Sequence, residues 1–287
     1  MAAQLTKQQS LGLAGKELLV ATMGGGGGLA ARPDDLTLAS SSVRVGLAWD
    51  LFPVKTEQLD LDCAALVFDR GGVLVDACYY NNLNCSNGAL VHSGDNRDGA
   101  GEGFDETIDL DLAALPPSVS SIVLVVTAHS GGSFADVETA RVCVAAHAAG
   151  AASAGGGGAS SEGGAEGEIL TDYSISSVPG HKHTALVLAV LHRGGSPGWC
   201  FRRVETEAYG VNFNQTMAHV LPVVDAVLPP GARANHTLAV GKTFAMHKAD
   251  VFKIPKGLFV GGEDMCVAAP EPFFSDMHSN VDRAPEP

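Results

Sequence analysis

A chain of 287 residues is long enough to bury a full core, as one large domain or two small ones. Its formal charge of −14, from 18 Lys and Arg against 32 Asp and Glu, argues against nucleic acid or an anionic membrane as partner, because both require a positive face. Its 35 glycines and 6% aromatic residues suit many short strands and turns better than a helical bundle.

Residues 1–40 form a first segment with one short apolar run, Leu18 to Ala21, followed by the glycine run Gly24–Gly28. Without a following Lys-Ser or Lys-Thr, that run reads as a flexible insertion rather than a phosphate loop. Leu11 to Met23 is short and carries Lys16 and Glu17, so no membrane span is expected. Met1 to Ser10 lacks the basic and apolar regions of a signal peptide, and a cytoplasmic location is expected. On that reading the sequons at Asn84, Asn214 and Asn235 are chance matches. Cys63, Cys78, Cys85, Cys143, Cys200 and Cys266 contain no C-x-x-C pair, and they read as reduced core thiols.

From Ser41 onward the texture is one of short alternating or apolar runs bounded by turns. Strands are predicted at Val43–Trp49, Leu61–Phe68, Val73–Tyr80, Ala89–His92, Thr107–Leu112, Ser121–Thr127 and Arg141–Ala145. Ala148 to Gly167 is low-complexity Gly, Ala and Ser, read as a disordered insertion. Beyond it, Glu168–Ile175, Thr184–Leu191 and Gly198–Val204 read as strands, and Phe213–Val224 as a short helix capped by Asn212 or Asn214. Strands at this spacing without intervening helices predict an all-β fold: an antiparallel β-sandwich over residues 41–224 with one or two short helices. Residues 225–287 lose periodicity after Pro229-Pro230 and form an irregular C-terminal extension.

The most chemically distinctive stretch is Gly94 to Glu106. It offers Asp95, Asp98, Glu102, Asp105 and Glu106 as carboxylates and Asn96 as a neutral oxygen donor, punctuated by Gly99, Gly101 and Gly103. Calcium takes about six to eight oxygen ligands and tolerates irregular geometry, so one reading is a calcium cradle. The other is a solvated loop, since Asp, Asn and Gly are ordinary turn residues. An EF-hand is excluded, because Arg97, Gly99 and Ala100 occupy positions where that loop needs two oxygen donors and a glycine. In Leu59–Phe68, alternation places Asp60 and Asp62 on one face of a strand start, with Asp50 upstream as a weaker candidate. Two carboxylates leading into an apolar strand are poorly placed for burial unless something neutralises them. Solvated strand-end aspartates are the alternative.

These blocks, in their order, carry a resemblance. Val43 to Asp50, Leu59 to Asp62, Tyr80 to Leu83, Val91 to Asn96 with the loop to Glu106, and Val123 to His129 together resemble the TerD family of tellurium-resistance and stress-response domains. The resemblance covers about Val43 to Val220. It implies a β-sandwich that binds two calcium ions through Asp60, Asp62, Asp95, Asn96, Asp105 and Glu106. Glu102 then replaces a usual aspartate, and Phe104 stands where the family usually carries another. Partners implied are calcium and other TerD-family or stress-complex proteins.

The main expectation is a non-enzymatic calcium-binding sandwich acting in stress response and tellurium resistance. A second, from the resemblance alone, is a receptor module for a cyclic nucleotide such as cyclic AMP, or another anion, dependent on bound calcium. A third, a hydrolase using calcium as Lewis acid, lacks a nameable nucleophile or base. His181, His183 and His129 have no partners at zinc spacing, and Gly241-Lys242-Thr243 only mimics the end of a phosphate loop.

Overall fold

A computed structural model describes residues 35–52, 59–129, 132–147, 167–176, 182–194, 198–229, 232–234, 239, 242–246, 248 and 265–267. The glycine run Gly24–Gly28, His181, Gly241, and the low-complexity insertion apart from Gly167 lie outside the described residues. No helix among the described residues is long and apolar enough to cross a membrane.

Two six-stranded antiparallel sheets face one another. The strands are β1 (Leu36–Thr37), β2 (Ser42–Leu51), β3 (Leu61–Asp69), β4 (Leu74–Cys78), β5 (Asn84–Cys85), β6 (Leu90–His92), β7 (Glu106–Asp111), β8 (Val119–Ala128), β9 (Val137–His147), β10 (Glu168–Ser176), β11 (Ala185–Arg193) and β12 (Trp199–Ala208). The first sheet runs β1-β12-β11-β8-β3-β4 and the second β10-β9-β2-β7-β6-β5. A small third sheet pairs β13 (Thr243–Ala245) with β14 (Met265–Val267).

The two large sheets differ in how their faces are covered, and the sequence pattern follows. In β7, Glu106, Ile108 and Leu110 are buried while Thr107, Asp109 and Asp111 point outward, the alternation of a sheet with one wet face. In β8 all ten residues are buried. Ile122, Leu124 and Val126 join the core between the sheets, whereas Val123 and Val125 pack on the opposite face against α1 (Met217–Asp225), the one α-helix among the described residues, through Met217, Val220, Leu221 and Val224. A strand covered on both faces reads as a continuous apolar run.

The helix begins later than its periodicity predicts. Asn212 Oδ1 accepts the Gln215 N–H at 3.2 Å, and Thr216 donates its N–H to Phe213 O at 3.1 Å, so Asn212–Thr216 close as turns before the helix starts. Asn214 does not cap: its side-chain oxygen is buried without a hydrogen bond.

Candidate metal centre

The site lies where the start of β3 meets the loop between β6 and β7. Alternation places Leu61 and Cys63 in the inter-sheet core and Asp60, Asp62, Ala64 and Leu66 on the helix-covered face. The strand start is anchored by the His129 N–H, which donates to Asp60 O at 2.8 Å, and by the Trp49 indole, which donates to Leu59 O at 3.2 Å. Asp60 is 6% exposed and Asp62 is 2% exposed, so neither is a solvated strand-end aspartate.

The glycine-punctuated loop folds on its own side chains. Asn96 Oδ1 accepts the N–H groups of Asp98 and Gly99 at 3.2 and 3.0 Å, and Asp98 Oδ1 accepts the Ala100 N–H at 2.9 Å. Gly99 has φ +62°, and a Cβ there would lie 2.6 Å from Trp49 Nε1, so only glycine lets the loop sit against that indole. Asn96 Nδ2 donates to Asp105 Oδ1 at 3.0 Å, while Asp105 Oδ2 accepts the Trp49 N–H at 2.9 Å. Glu106 is fully buried, and its two oxygens accept the Cys63 N–H at 2.9 Å and the Asn96 N–H at 3.3 Å. These bonds tie the loop to β2 and β3 and carry Asp95 to the pair at the start of β3.

Asp60, Asp62 and Asp95 then converge on one cationic atom. Lys248 Nζ lies 2.6 Å from Asp60 Oδ2, 2.5 Å from Asp62 Oδ1 and 2.6 Å from Asp95 Oδ1, and 4.7 Å from the centre of the Tyr80 ring. The second Asp95 oxygen accepts from Arg97 Nε at 2.7 Å. Asp62 Oδ2 makes no hydrogen bond, and His129 Nδ1 lies 3.6 Å from it. Burial raises the Asp60 pKa from 3.8 to about 6, Lys248 pulling it down against the like charges of Asp95 and Glu106. Burial, then the Glu106 charge, pushes Asp62 well above the ordinary carboxylate range. For Asp95 burial also acts upward, but Lys248 and Arg97 prevail and hold its pKa low. Burial would lower the Lys248 pKa, and the Asp62 and Asp60 charges outweigh it, so the ammonium stays charged.

A cation fits this centre. The donors are all carboxylate oxygens, as a hard ion requires. The ammonium nitrogen lies 2.5 to 2.6 Å from one oxygen of each carboxylate, close to the roughly 2.3 to 2.6 Å of calcium–oxygen bonds. Asp62 Oδ2 remains a buried acceptor on the same carboxylate.

A second cluster joins Cys63, His92 and Glu106, all buried. His92 Nε2 lies 3.6 Å from Cys63 Sγ and 3.5 Å from Glu106 Oε2. His92 Nδ1 accepts the Gly94 N–H at 3.0 Å, so in the neutral ring Nε2 carries the proton. Burial, then the Glu106 charge, raises the Cys63 pKa well above its ordinary value. A thiol whose pKa is raised, facing an imidazole nitrogen and a buried carboxylate, makes this cluster a hydrogen-bonded element of the core.

Of the residues singled out in the sequence, Asp60, Asp62 and Asp95 form the centre. Glu106, Asp105 and Asn96 are its adjoining hydrogen-bonded support. Asp50 lies apart on β2, where Oδ2 accepts the Thr139 hydroxyl at 2.8 Å, and Glu102 is exposed; neither belongs to the two clusters. Phe104 lays its ring over Gly46 of β2, where a Cβ would lie 2.6 Å from the ring, so this residue serves packing. Sequence reasoning missed Lys248, Cys63 and His92. Lys248 stands in an aperiodic stretch that carries no local signal of where it reaches.

Comparison with known proteins converges on one family. The TerD domain model matches residues 34–154. Tellurium resistance protein TerZ of Serratia marcescens is 37% identical over 113 residues, covering 36% of this chain and 58% of that protein. Tellurium resistance protein TerD of the same organism is 41% identical over 91 residues, covering 31% and 47%, and general stress protein 16U of Bacillus subtilis (strain 168) is 41% identical over 93 residues, covering 31% and 48%. The chain thus spans about half the length of the curated relatives it matches. A crystal structure of a homologue of telluride resistance protein (TerD) from Streptomyces coelicolor A3(2) superposes with a TM-score of 0.48 at 23% identity, covering 66% of this chain and 96% of that one. Residues 34–154, the part of the chain that matches the TerD domain model, hold β1 to β9 and every carboxylate of the centre.

Proposed function

We propose that this TerD domain is a calcium-binding module, with Asp60, Asp62 and Asp95 as the carboxylate ligands and the Asn96–Asp105–Glu106 network as the frame that positions them. The observation that carries the reading is the convergence of three carboxylates, two of them buried, on one cationic atom from two separate segments of chain. Water-poor surroundings make such a group of like charges costly without a cation, so ion binding adds directly to folding stability. Calcium is favoured over magnesium because an irregular loop suits a flexible coordination shell better than a strict octahedron. The resemblance implies two ions; the described residues gather one all-oxygen cluster, and one equivalent is the expected stoichiometry at this centre.

The biological setting follows the relatives, whose names are of tellurium resistance and general stress. We read the chain as a cytoplasmic binding protein of that response rather than an enzyme. Five described cysteines are free and buried, as reducing conditions allow. Among the described residues, the Cys63–His92–Glu106 cluster resembles a catalytic triad in composition, and burial and the Glu106 charge raise its thiol pKa, which disfavours the nucleophilic thiolate.

The test is calorimetric titration of the chelator-stripped full chain with Ca2+ and, separately, Mg2+. The expected result is calcium heat at one equivalent, lost in Asp62→Asn, with a melting temperature that rises on adding calcium. Identical melting in chelator and in excess calcium, with no heat, overturns the reading.

A further inference from the structure

The centre carries its own occupant, on a segment far from the carboxylates in sequence. Lys248 stands 188 residues from Asp60, outside the region matched by the domain model. The described residues between Ala239 and Lys248 reach it by a series of specific attachments. The Ala239 N–H donates to Leu74 O at 3.0 Å, and Lys242 Nζ lies 3.2 Å from Asp76 Oδ1. The Phe244 ring packs edge-on against Phe213 and Tyr79 at 5.8 and 6.3 Å. The Tyr79 hydroxyl and Asn81 Nδ2 both donate to Ala245 O, at 2.8 and 3.0 Å, and the Tyr80 hydroxyl donates to Met246 O. Two residues further on, the ammonium of Lys248 enters the cluster.

Nζ stands at ion-like distances from all three carboxylates, so a metal ion and this ammonium exclude each other sterically and electrostatically. The ammonium and the Arg97 guanidinium beside Asp95 set two positive charges against three carboxylates, and a divalent ion in place of the ammonium supplies the third. The lysine in turn has the advantage of attachment, because a tethered group presents a high effective concentration to its site.

We propose that Lys248 is an intramolecular competitor for the cation site: a divalent cation enters Asp60, Asp62 and Asp95 by displacing the Lys248 ammonium, so that cation binding and release of the 239–248 segment are a single equilibrium. The proposal rests on the calcium reading above. Each state satisfies the carboxylates by a different cation, and the ion shifts the balance by its differential affinity for the lysine-free form. The apparent calcium affinity of the chain is reduced by the fraction of molecules in which lysine holds the site. The released product is a strip of chain whose former contacts, Tyr79, Tyr80 and Phe213, become available to another partner.

The experiment compares the full chain with Lys248→Met and Lys248→Arg by calcium titration, and follows amide hydrogen exchange of residues 239–248 in the unaltered chain as calcium is added. The expected result is calcium binding about tenfold tighter or more in Lys248→Met, little change in Lys248→Arg, and faster exchange across 239–248 on calcium loading but not on adding the same ionic strength of potassium. If Lys248→Met requires calcium to fold, the exchange measurement on the unaltered chain decides. Equal calcium affinities with exchange unaltered by calcium overturn the competitor while leaving the calcium reading intact. No calcium binding by any of the three proteins overturns both.

Discussion

Glu106 Oε2, on β7 of the second sheet, accepts the backbone N–H of Cys63, on β3 of the first, at 2.9 Å. The other oxygen of the same carboxylate accepts the Asn96 N–H from the acidic loop. One buried side chain therefore joins the two sheets and the loop at the edge of the carboxylate cluster. A residue that reads in sequence as the last ligand of a cation loop works here as a joint.

Removing that joint should cost stability whether or not calcium is present. Glu106→Ala leaves two N–H groups without an acceptor, and losing about 3 kcal/mol is expected from the usual penalty for buried unsatisfied donors. Glu106→Gln retains one acceptor oxygen and should lose about half as much. Urea denaturation in chelator and in excess calcium checks both values.

Asp62 should behave in the opposite way. Its carboxylate is buried and faces the Glu106 charge, so without a metal its negative charge opposes folding. Asp62→Asn is expected to melt at or above the parent temperature in chelator, yet to gain nothing from calcium. The parent should gain about 2.7 kcal/mol at a hundredfold excess over Kd. Thermal melts with and without calcium separate the two effects.

Calcium affinity should fall in mildly acid solution. The Asp60 pKa in the metal-free chain is raised to about 6, by burial first, with Asp95 and Glu106 adding to it and Lys248 opposing. Below that pH Asp60 holds a proton that the ion must displace; above it the carboxylate is already ionised. The fall should therefore begin near pH 6 rather than near the ordinary value of 3.8, and titrations between pH 5 and 8 (about the range in which an ordinary histidine also titrates) read it directly. Binding that stays constant down to pH 5 (about one unit below the raised pKa) contradicts it.

Gly99 sets the seat of the loop on Trp49. Gly99→Ala puts a Cβ 2.6 Å from the indole nitrogen and 2.8 Å from the Trp49 carbonyl oxygen at φ +62°, and a loss of about 2 kcal/mol is expected together with weaker calcium binding. Gly101→Ala, at φ +120° with open space around the new Cβ, carries backbone strain alone and is the matched control. Denaturation and calorimetry on the pair distinguish seating from strain.

Much of the sandwich was legible because its signals are local. The apolar run Ser121–Thr127 lies in β8, the alternation of Thr107–Leu112 overlaps β7 with both ends one residue late, and the period of two placed Asp60 and Asp62 on one face. The two-residue strands β1 and β5 escaped notice, since two residues carry no periodicity. The helix start was misplaced because Asn212 side-chain bonding favours turns over the first helical residues.

The sequence by itself determined which residues face inward, where turns interrupt them, and that an acidic loop and a pair of aspartates need a cation or water. Only the tertiary structure decided which carboxylates meet. It drew Asp95 to Asp60 and Asp62, turned Asp50 toward Thr139, left Glu102 exposed, and brought a lysine across 188 residues into the cluster. Periodicity is written residue by residue along a strand, whereas the meeting of distant charges depends on strand order, and strand order leaves no mark on the neighbours of any one residue.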